Sequence, residues 1–405
     1  MTGHSNWLTW PNNLGDRLKS AAKNGHWASL HPWHPTPTYE VIPLWKTVPM
    51  KLSLRLIPLL LLLPWSGIVL GDEDQQIYDL NDFTLESGAT LPAAKLSYTV
   101  HGSMNTEGNN AILVPSFYLG DHHGYDFLIG PGKALDPEKY FIIATDMFQN
   151  GLSSSPSNTP PPFDGAHFPE ISIRDNVTAQ LQLLTAELGV SHLRAVIGFS
   201  MGAQQALQWA VSHPGFVSNI VPMFGSAVEH PHGIARLESF KLAITTDQQF
   251  MDGHYVEPPI AGLRSAAVHW AAWGTSQEWF RREAWQELGL SELEDVYDFY
   301  FALMTSWDAN YLLALASTWQ QNNVGDSPGF DGDYGAALAA ISARVLYMPC
   351  ETDLYFHIDA LAHEASFIPK VTFLPIPSDW GHLAGGGFAE ADAAFINEAI
   401  SNFLK

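Results

Sequence analysis

The chain has 405 residues, 46% of them hydrophobic, which is enough for a sizeable buried core and too many for a disordered polymer. Its 42 acidic residues against 19 basic ones give a net charge of −23, which argues against nucleic acid or an anionic membrane surface as a partner. The one cysteine, Cys350, excludes an intrachain disulfide.

Residues 1–49 are rich in tryptophan, proline and histidine and carry neither helical nor strand periodicity, so they are expected to be a non-native or unstructured extension. Met50-Lys51-Leu52-Ser53-Leu54-Arg55 then opens a short basic segment followed by apolar runs from Leu56 to Leu63 and from Trp65 to Leu70. Val69-Leu70-Gly71 has the small residues of a cleavage site, and Asp72-Glu73-Asp74 begins a polar, acidic chain. Residues 50–71 therefore read as a signal peptide of a secreted or periplasmic protein, with no stable membrane association once it is removed. The apolar run is interrupted by Pro58 and Pro64 and is short for a bilayer span.

From Asp72 to the end, two early strands are expected, Tyr78 to Leu85 and Lys95 to Val100, separated by Ser87-Gly88 as an antiparallel start. Ala111 to Val114 and Tyr140 to Ala144 are short apolar runs of the buried-strand kind, and Ile173 to Leu188 has helical spacing. Leu193 to Ile197 reads as another buried strand and Ala203 to Ala210 as a helix, with strands again at Ile220 to Met223, Arg344 to Met348 and Val371 to Leu374. Ala389 to Leu404 reads as a closing helix. Strands alternating with helices imply a mainly parallel sheet covered on both faces. Between about 229 and 340 the strand signal disappears and tryptophans accumulate, as expected of an inserted helical cap whose aromatics mostly form its own core. His230-x-His232 could hold a metal only with further ligands, and a loop histidine pair is the simpler reading.

Gly198-Phe199-Ser200-Met201-Gly202 lies between the expected strand and helix, the setting a nucleophile elbow requires: a serine on a sharp turn with glycines leaving room for it. A serine hydroxyl needs a base within hydrogen-bond reach, and that base needs an orienting carboxylate. In chain order the elbow serine is followed by the acid and then the histidine. Asp353 follows one late strand in Cys350-Glu351-Thr352-Asp353, and His382 follows the next in Asp379-Trp380-Gly381-His382. Glu351 competes with Asp353 as the acid, Asp379 is too near His382 in sequence to be favoured, and His357 and His363 are rival bases without a strand before them. Cys350 reads as a buried strand-end residue. Two backbone N–H groups should meet the oxyanion: Met201, directly after the serine, and Phe117 in the loop after Ala111 to Val114, with Ser116 second.

With these residues in view, the chain resembles the homoserine O-acetyltransferase family of α/β-hydrolase-fold enzymes. The likeness runs through Leu135-Asp136-Pro137-Glu138-Lys139-Tyr140-Phe141, Asn150-Gly151-Leu152-Ser153-Ser154-Ser155-Pro156, the elbow on to Ala210, and Ala243-Ile244-Thr245-Thr246-Asp247, Gly253-His254-Tyr255 and Gly262-Leu263. The resemblance implies an α/β-hydrolase fold over 72–405 with Ser200, Asp353 and His382 as its triad, and places Lys241 and Tyr255 among substrate-binding residues. It also implies a dimer through the cap. Two positions depart from the family pattern: Leu383 stands where an aspartate follows the histidine, and Ala267 stands where the cap carries an arginine. Together with the export signal, these departures favour a hydrolase of small-molecule carboxylic esters that needs no cofactor. The alternative is an O-acetyltransferase with acetyl-CoA as co-substrate.

Overall fold

The computed structural model describes residues 74–405; the expected extension at 1–49 and signal peptide at 50–71 lie outside the described residues. Eight strands form one sheet in the order β1-β2-β4-β3-β5-β6-β7-β8. β1 (Gln76–Thr84) and β2 (Thr90–His101) pair antiparallel, and β2 joins β4 (Phe141–Thr145) antiparallel. From there β3 (Ala111–Pro115), β5 (Ala195–Phe199), β6 (Asn219–Met223), β7 (Arg344–Tyr347) and β8 (Val371–Phe373) continue in parallel. Every residue of β3, β4, β5 and β6 is buried, which is why these strands read as continuous apolar runs rather than alternating ones.

Helix α1 (Ile173–Gln182) starts at a capping box in which Ser172 and Asp175 exchange side-chain and backbone hydrogen bonds. The expected helix to Leu188 does not stay regular. Its last turn widens so that the Leu188 amide reaches the Leu183 carbonyl, and the adjacent Leu183 and Leu184 are both fully buried. Helix α2 (Met201–Ser212) follows β5 directly and is buried from Met201 to Val211.

The chain between β6 and β7 holds helices and no strand among the described residues: α3 (Pro231–Thr245), α4 (Ile260–Gly274), the short α5 (Gln277–Arg281), α6 (Leu293–Thr305), α7 (Ala309–Gln320) and α8 (Tyr334–Ala339). Its tryptophans divide as their neighbours dictate. Trp279 and Trp285 pack edge-to-face within the cap, whereas Trp270 and Trp319 pack on Tyr118, from the loop after β3. Helices α9 (Ile358–Ala365) and α10 (Glu390–Phe403) complete the fold. The loops after β3, β5, β7 and β8 all leave the carboxyl ends of neighbouring parallel strands, where an open α/β sheet gathers its functional side chains.

Candidate active site

The elbow is built by sterics. Ser200 has φ 55° and ψ −121°, a conformation that costs a non-glycine residue energy and is held only because its surroundings fix it. A Cβ on Gly198 would stand 1.9 Å from the Gly202 carbonyl oxygen, and one on Gly202 would stand 2.6 Å from both the Pro115 carbonyl and the Tyr125 hydroxyl. The glycines of the motif are therefore required by backbone approach rather than by flexibility. The Ser200 amide is tied to Met223 of β6 at 2.9 Å, which fixes the turn to the sheet.

Ser200 Oγ lies 3.0 Å from His382 Nε2, and His382 Nδ1 lies 2.8 Å from Asp353 Oδ2. The other Asp353 oxygen accepts the Tyr355 amide at 2.7 Å, so the carboxylate cannot swing away from the imidazole. All three side chains are buried. The imidazole is flanked by the rings of Phe199 at 4.8 Å and Tyr355 at 4.5 Å. The histidine loop is anchored on both sides. Thr352 Oγ1 donates to Ser378 O at 2.7 Å and accepts the Gly381 amide at 3.2 Å, and Ser276 of the cap donates to the Asp379 carbonyl.

The rival acids and bases fall elsewhere. Glu351 is exposed, and Asp379 is paired with Arg282 of the cap. His357 caps α9 with its side chain exposed, and His363 is exposed on the same helix. Cys350 is fully buried, and burial pushes its thiol up to about 11. Of the two amides considered in the loop after β3, that of Ser116 is used by the Thr145 carbonyl at 2.8 Å, and Ser116 Oγ accepts the Met147 amide. The Phe117 amide and the Met201 amide at the start of α2 have no protein acceptor among the described residues. The start of α2 also presents the positive end of a helix to this point.

A cavity of about 500 Å³ opens over Ser200 and His382. Its wall is formed by Phe117, Tyr118 and Phe199 from below, Trp270, Tyr300 and Trp319 from the cap, and Tyr355, Leu383 and Phe388 beside the histidine. Asp121, His123 and Asp126 line it too, and His123 and Asp126 are exposed to solvent. Among the described residues no lysine or arginine lines it.

Two expected substrate residues are corrected by this geometry. Lys241, on α3, pairs with Glu238 one helical turn away at 3.0 Å and does not line the cavity. Tyr255 packs on Phe250, and its hydroxyl accepts the Asn310 amide at 3.3 Å, also away from the cavity. Likeness of short cap motifs aligns chain segments without fixing where their side chains point. His230 approaches Glu364 at 3.3 Å and His232 packs on Trp273; among the described residues no group of three or more His, Cys, Asp or Glu is disposed to hold a metal.

Sequence reasoning missed Tyr125, Tyr300, Tyr355 and Arg236. Tyr125, Tyr300 and Arg236 lie in segments with no motif of their own, and Tyr355 follows Asp353 by two residues; the fold brings Tyr300 and Tyr355 to the cavity wall, Tyr125 to the Phe199 amide and Arg236 behind the Tyr355 ring.

Comparison with known proteins agrees with the fold. Residues 112–248 match the family model of the alpha/beta hydrolase fold. The chain is 38% identical over 337 residues to an ethyl acetate hydrolase of Pseudomonas veronii, covering 82% of this chain and 94% of that protein. It is 32% identical over 362 residues to a homoserine O-acetyltransferase of Symbiobacterium thermophilum, covering 80% of this chain and 92% of that one. Among solved structures, an acetylester hydrolase from Corynebacterium glutamicum superposes with a TM-score of 0.79 at 35% identity, over 82% of this chain and 95% of its own. The chain thus belongs to the α/β-hydrolase family of enzymes, in the homoserine O-acetyltransferase-like group that also contains esterases.

Proposed function

We propose that this enzyme is an exported serine hydrolase of short-chain, uncharged carboxylic esters, with acetyl esters as its first substrates. The observation that carries the reading is the hydrogen-bonded series Ser200–His382–Asp353 at the floor of an aromatic cavity whose wall, among the described residues, carries no lysine or arginine. Ser200 Oγ bonds to the acyl carbon as His382 Nε2 takes its proton, and Asp353 holds the imidazolium that forms. The charge then on the former carbonyl oxygen meets the amides of Met201 and Phe117, where one lost donor costs about 100- to 1000-fold in rate. His382 returns the proton to the leaving alcohol, and then takes one from the water that cleaves the acyl-enzyme. The relatives named as an ethyl acetate hydrolase and an acetylester hydrolase support the acyl group chosen here. No cofactor is needed for these steps.

The likeness to homoserine O-acetyltransferases favours a second reading, transfer of an acetyl group from acetyl-CoA to an alcohol, which shares the first half-reaction. Against it stand the apolar Leu383 beside the histidine and the acidic groups at the cavity's solvent-facing side, which would repel the phosphates of CoA. We place the enzyme outside the cytoplasm on the strength of the segment 50–71. A homodimer through the cap is proposed on the exposed apolar residues Ile234, Leu242, Val256, Ile260 and Val268. Neither nucleic acid nor membrane is a proposed partner of the acidic mature chain.

The test is hydrolysis of ethyl acetate and short p-nitrophenyl esters by protein beginning at Asp72, beside release of CoA from acetyl-CoA with homoserine present. Ester turnover without CoA release, lost by about 10⁴-fold or more in Ser200→Ala, is the expected result. Acceptor-dependent CoA release would replace the hydrolase by the transferase.

A further inference from the structure

Arg236 lies on α3 and is 3% exposed, yet none of its guanidinium nitrogens has a hydrogen-bond acceptor among the described residues. It is held instead by aromatic faces. The guanidinium carbon is 4.0 Å from the centre of the Tyr355 ring, 4.6 Å from that of Trp319 and 5.7 Å from that of Trp270. All three rings line the cavity above Ser200. An arginine presents five donors and stays charged, so burying it without acceptors is costly, while a methionine or leucine would fill the same aromatic nest without that cost. What an arginine adds here is its charge and its flat stacking surface.

Tyr355 connects that charge to the chemistry. Its ring is 4.5 Å from the His382 imidazole, and its amide donates to Asp353 at 2.7 Å. We propose that Arg236 is a positioning residue for the Ser200–His382–Asp353 series: it fixes the Tyr355 ring beside the histidine and sets the positive potential in which the imidazole works. The inference rests on the serine-hydrolase reading above. The groups facing the guanidinium are Glu229 just before α3, His269 on α4, Tyr118 after β3, and Asp353 and Tyr355 after β7. Beyond Glu229 stand His230 and Glu364, and beyond Tyr355 stands Tyr300. Burial pushes the Glu229 carboxyl up to about 8, so below that pH it is mostly uncharged and contributes little to neutralising the cation. The guanidinium and the imidazole thus lie against the same Tyr355 ring, which puts a fixed positive charge one aromatic ring away from His382.

The experiment measures two pH profiles in wild type, Arg236→Met and Arg236→Lys: kcat/KM for p-nitrophenyl acetate, and the rate of Ser200 labelling by a fluorophosphonate. In the labelling, the Ser200 Oγ–P bond forms as fluoride leaves and His382 takes the serine proton. Folding is monitored by circular dichroism. Arg236→Met is expected to move the acid limb of both profiles upward by about one pH unit, the scale of one charge acting through partly screened protein. Arg236→Lys, which keeps the charge and loses the stacking, is expected to hold the wild-type limb with lower rates at every pH. A folded Arg236→Met enzyme with the wild-type limb overturns the inference. If that variant does not fold, a limb displaced upward in Arg236→Lys overturns it instead. Wild-type enzyme that neither hydrolyses the ester nor is labelled at Ser200 defeats the hydrolase reading itself. Labelled wild type with unmoved limbs in the variants defeats only the role of Arg236.

Discussion

The Tyr125 hydroxyl accepts the Phe199 amide at 2.9 Å and donates to the Pro115 carbonyl at 2.7 Å, joining the last residue of β5 to the last residue of β3. These two strand ends carry the nucleophile elbow and the loop with Phe117. One buried hydroxyl thus sets the spacing between the serine and one of its two proposed oxyanion donors, and its ring packs edge-to-face on Phe117 at 5.7 Å. Burial holds the phenol well above its ordinary pKa, so it serves here as a neutral donor.

Tyr125→Phe should therefore act on rate more than on substrate affinity. It leaves the Phe199 amide and the Pro115 carbonyl unpaired in the core, a loss of about 1–3 kcal/mol in stability. It also loosens the strand ends, and kcat is expected to fall by about tenfold or more with KM less affected. Steady-state kinetics and thermal unfolding of the variant check both. A stability loss with unchanged kcat would show that the spacing is set elsewhere.

Gly202→Ala tests the same junction from the other side. The added methyl would lie 2.6 Å from the Pro115 carbonyl and from the Tyr125 hydroxyl, closer than real contacts allow. The strand end carrying the Phe117 loop must yield, and kcat is expected to fall by about 10- to 100-fold in a protein that still folds. Gly198→Ala, at 1.9 Å from a backbone carbonyl, leaves no such room and should not yield soluble enzyme. Wild-type rates in Gly202→Ala would remove the argument that this glycine spaces the site.

Cys350 lies within the segment that carries Asp353, and its inertness is a separate expectation. It is fully buried, donates to the Ser378 carbonyl at 3.5 Å, and its thiol is pushed up to about 11. The folded enzyme should not react with a disulfide reagent at about pH 8, and should react once denatured. Cys350→Ala should keep most of its activity. Rapid labelling of the native thiol, with loss of turnover, would give this cysteine a role that its surroundings do not support.

The parts of the molecule legible in the sequence are those whose physics is local. Ala111 to Pro115 and Ala195 to Phe199 are buried on both faces and therefore read as apolar runs, and the elbow needs its glycines within five residues. The serine, acid and histidine were readable because each follows a strand in a fixed chain order. The nest around Arg236 was not, because Tyr118, Trp270, Trp319 and Tyr355 come from four distant segments and each looks like ordinary core on its own. Lys241 and Tyr255 differ for the opposite reason: they sit in recognisable motifs, but Lys241 pairs with Glu238 on its own helix and Tyr255, in the loop before α4, accepts the Asn310 amide.

Glu229 makes the stability of the fold depend on pH with a definite sign. Burial is the main cause that raises its carboxyl from 4.5 to about 8, against the attraction of Arg236 and the hydrogen bond from Trp319 Nε1 at 2.7 Å. A group whose pKa is raised on folding binds its proton more tightly in the native state. Its contribution is complete below its unfolded pKa and is lost as pH rises from there through about 8. Glu229→Gln keeps an acceptor for the tryptophan and removes the ionisation. The variant is therefore expected to gain thermal stability relative to wild type as pH is raised from about 5 to 9, with the difference concentrated at the alkaline end. Unfolding curves of the two proteins across that range measure it. Parallel curves would mean that Glu229 is already ionised in the folded protein and directly neutralises Arg236.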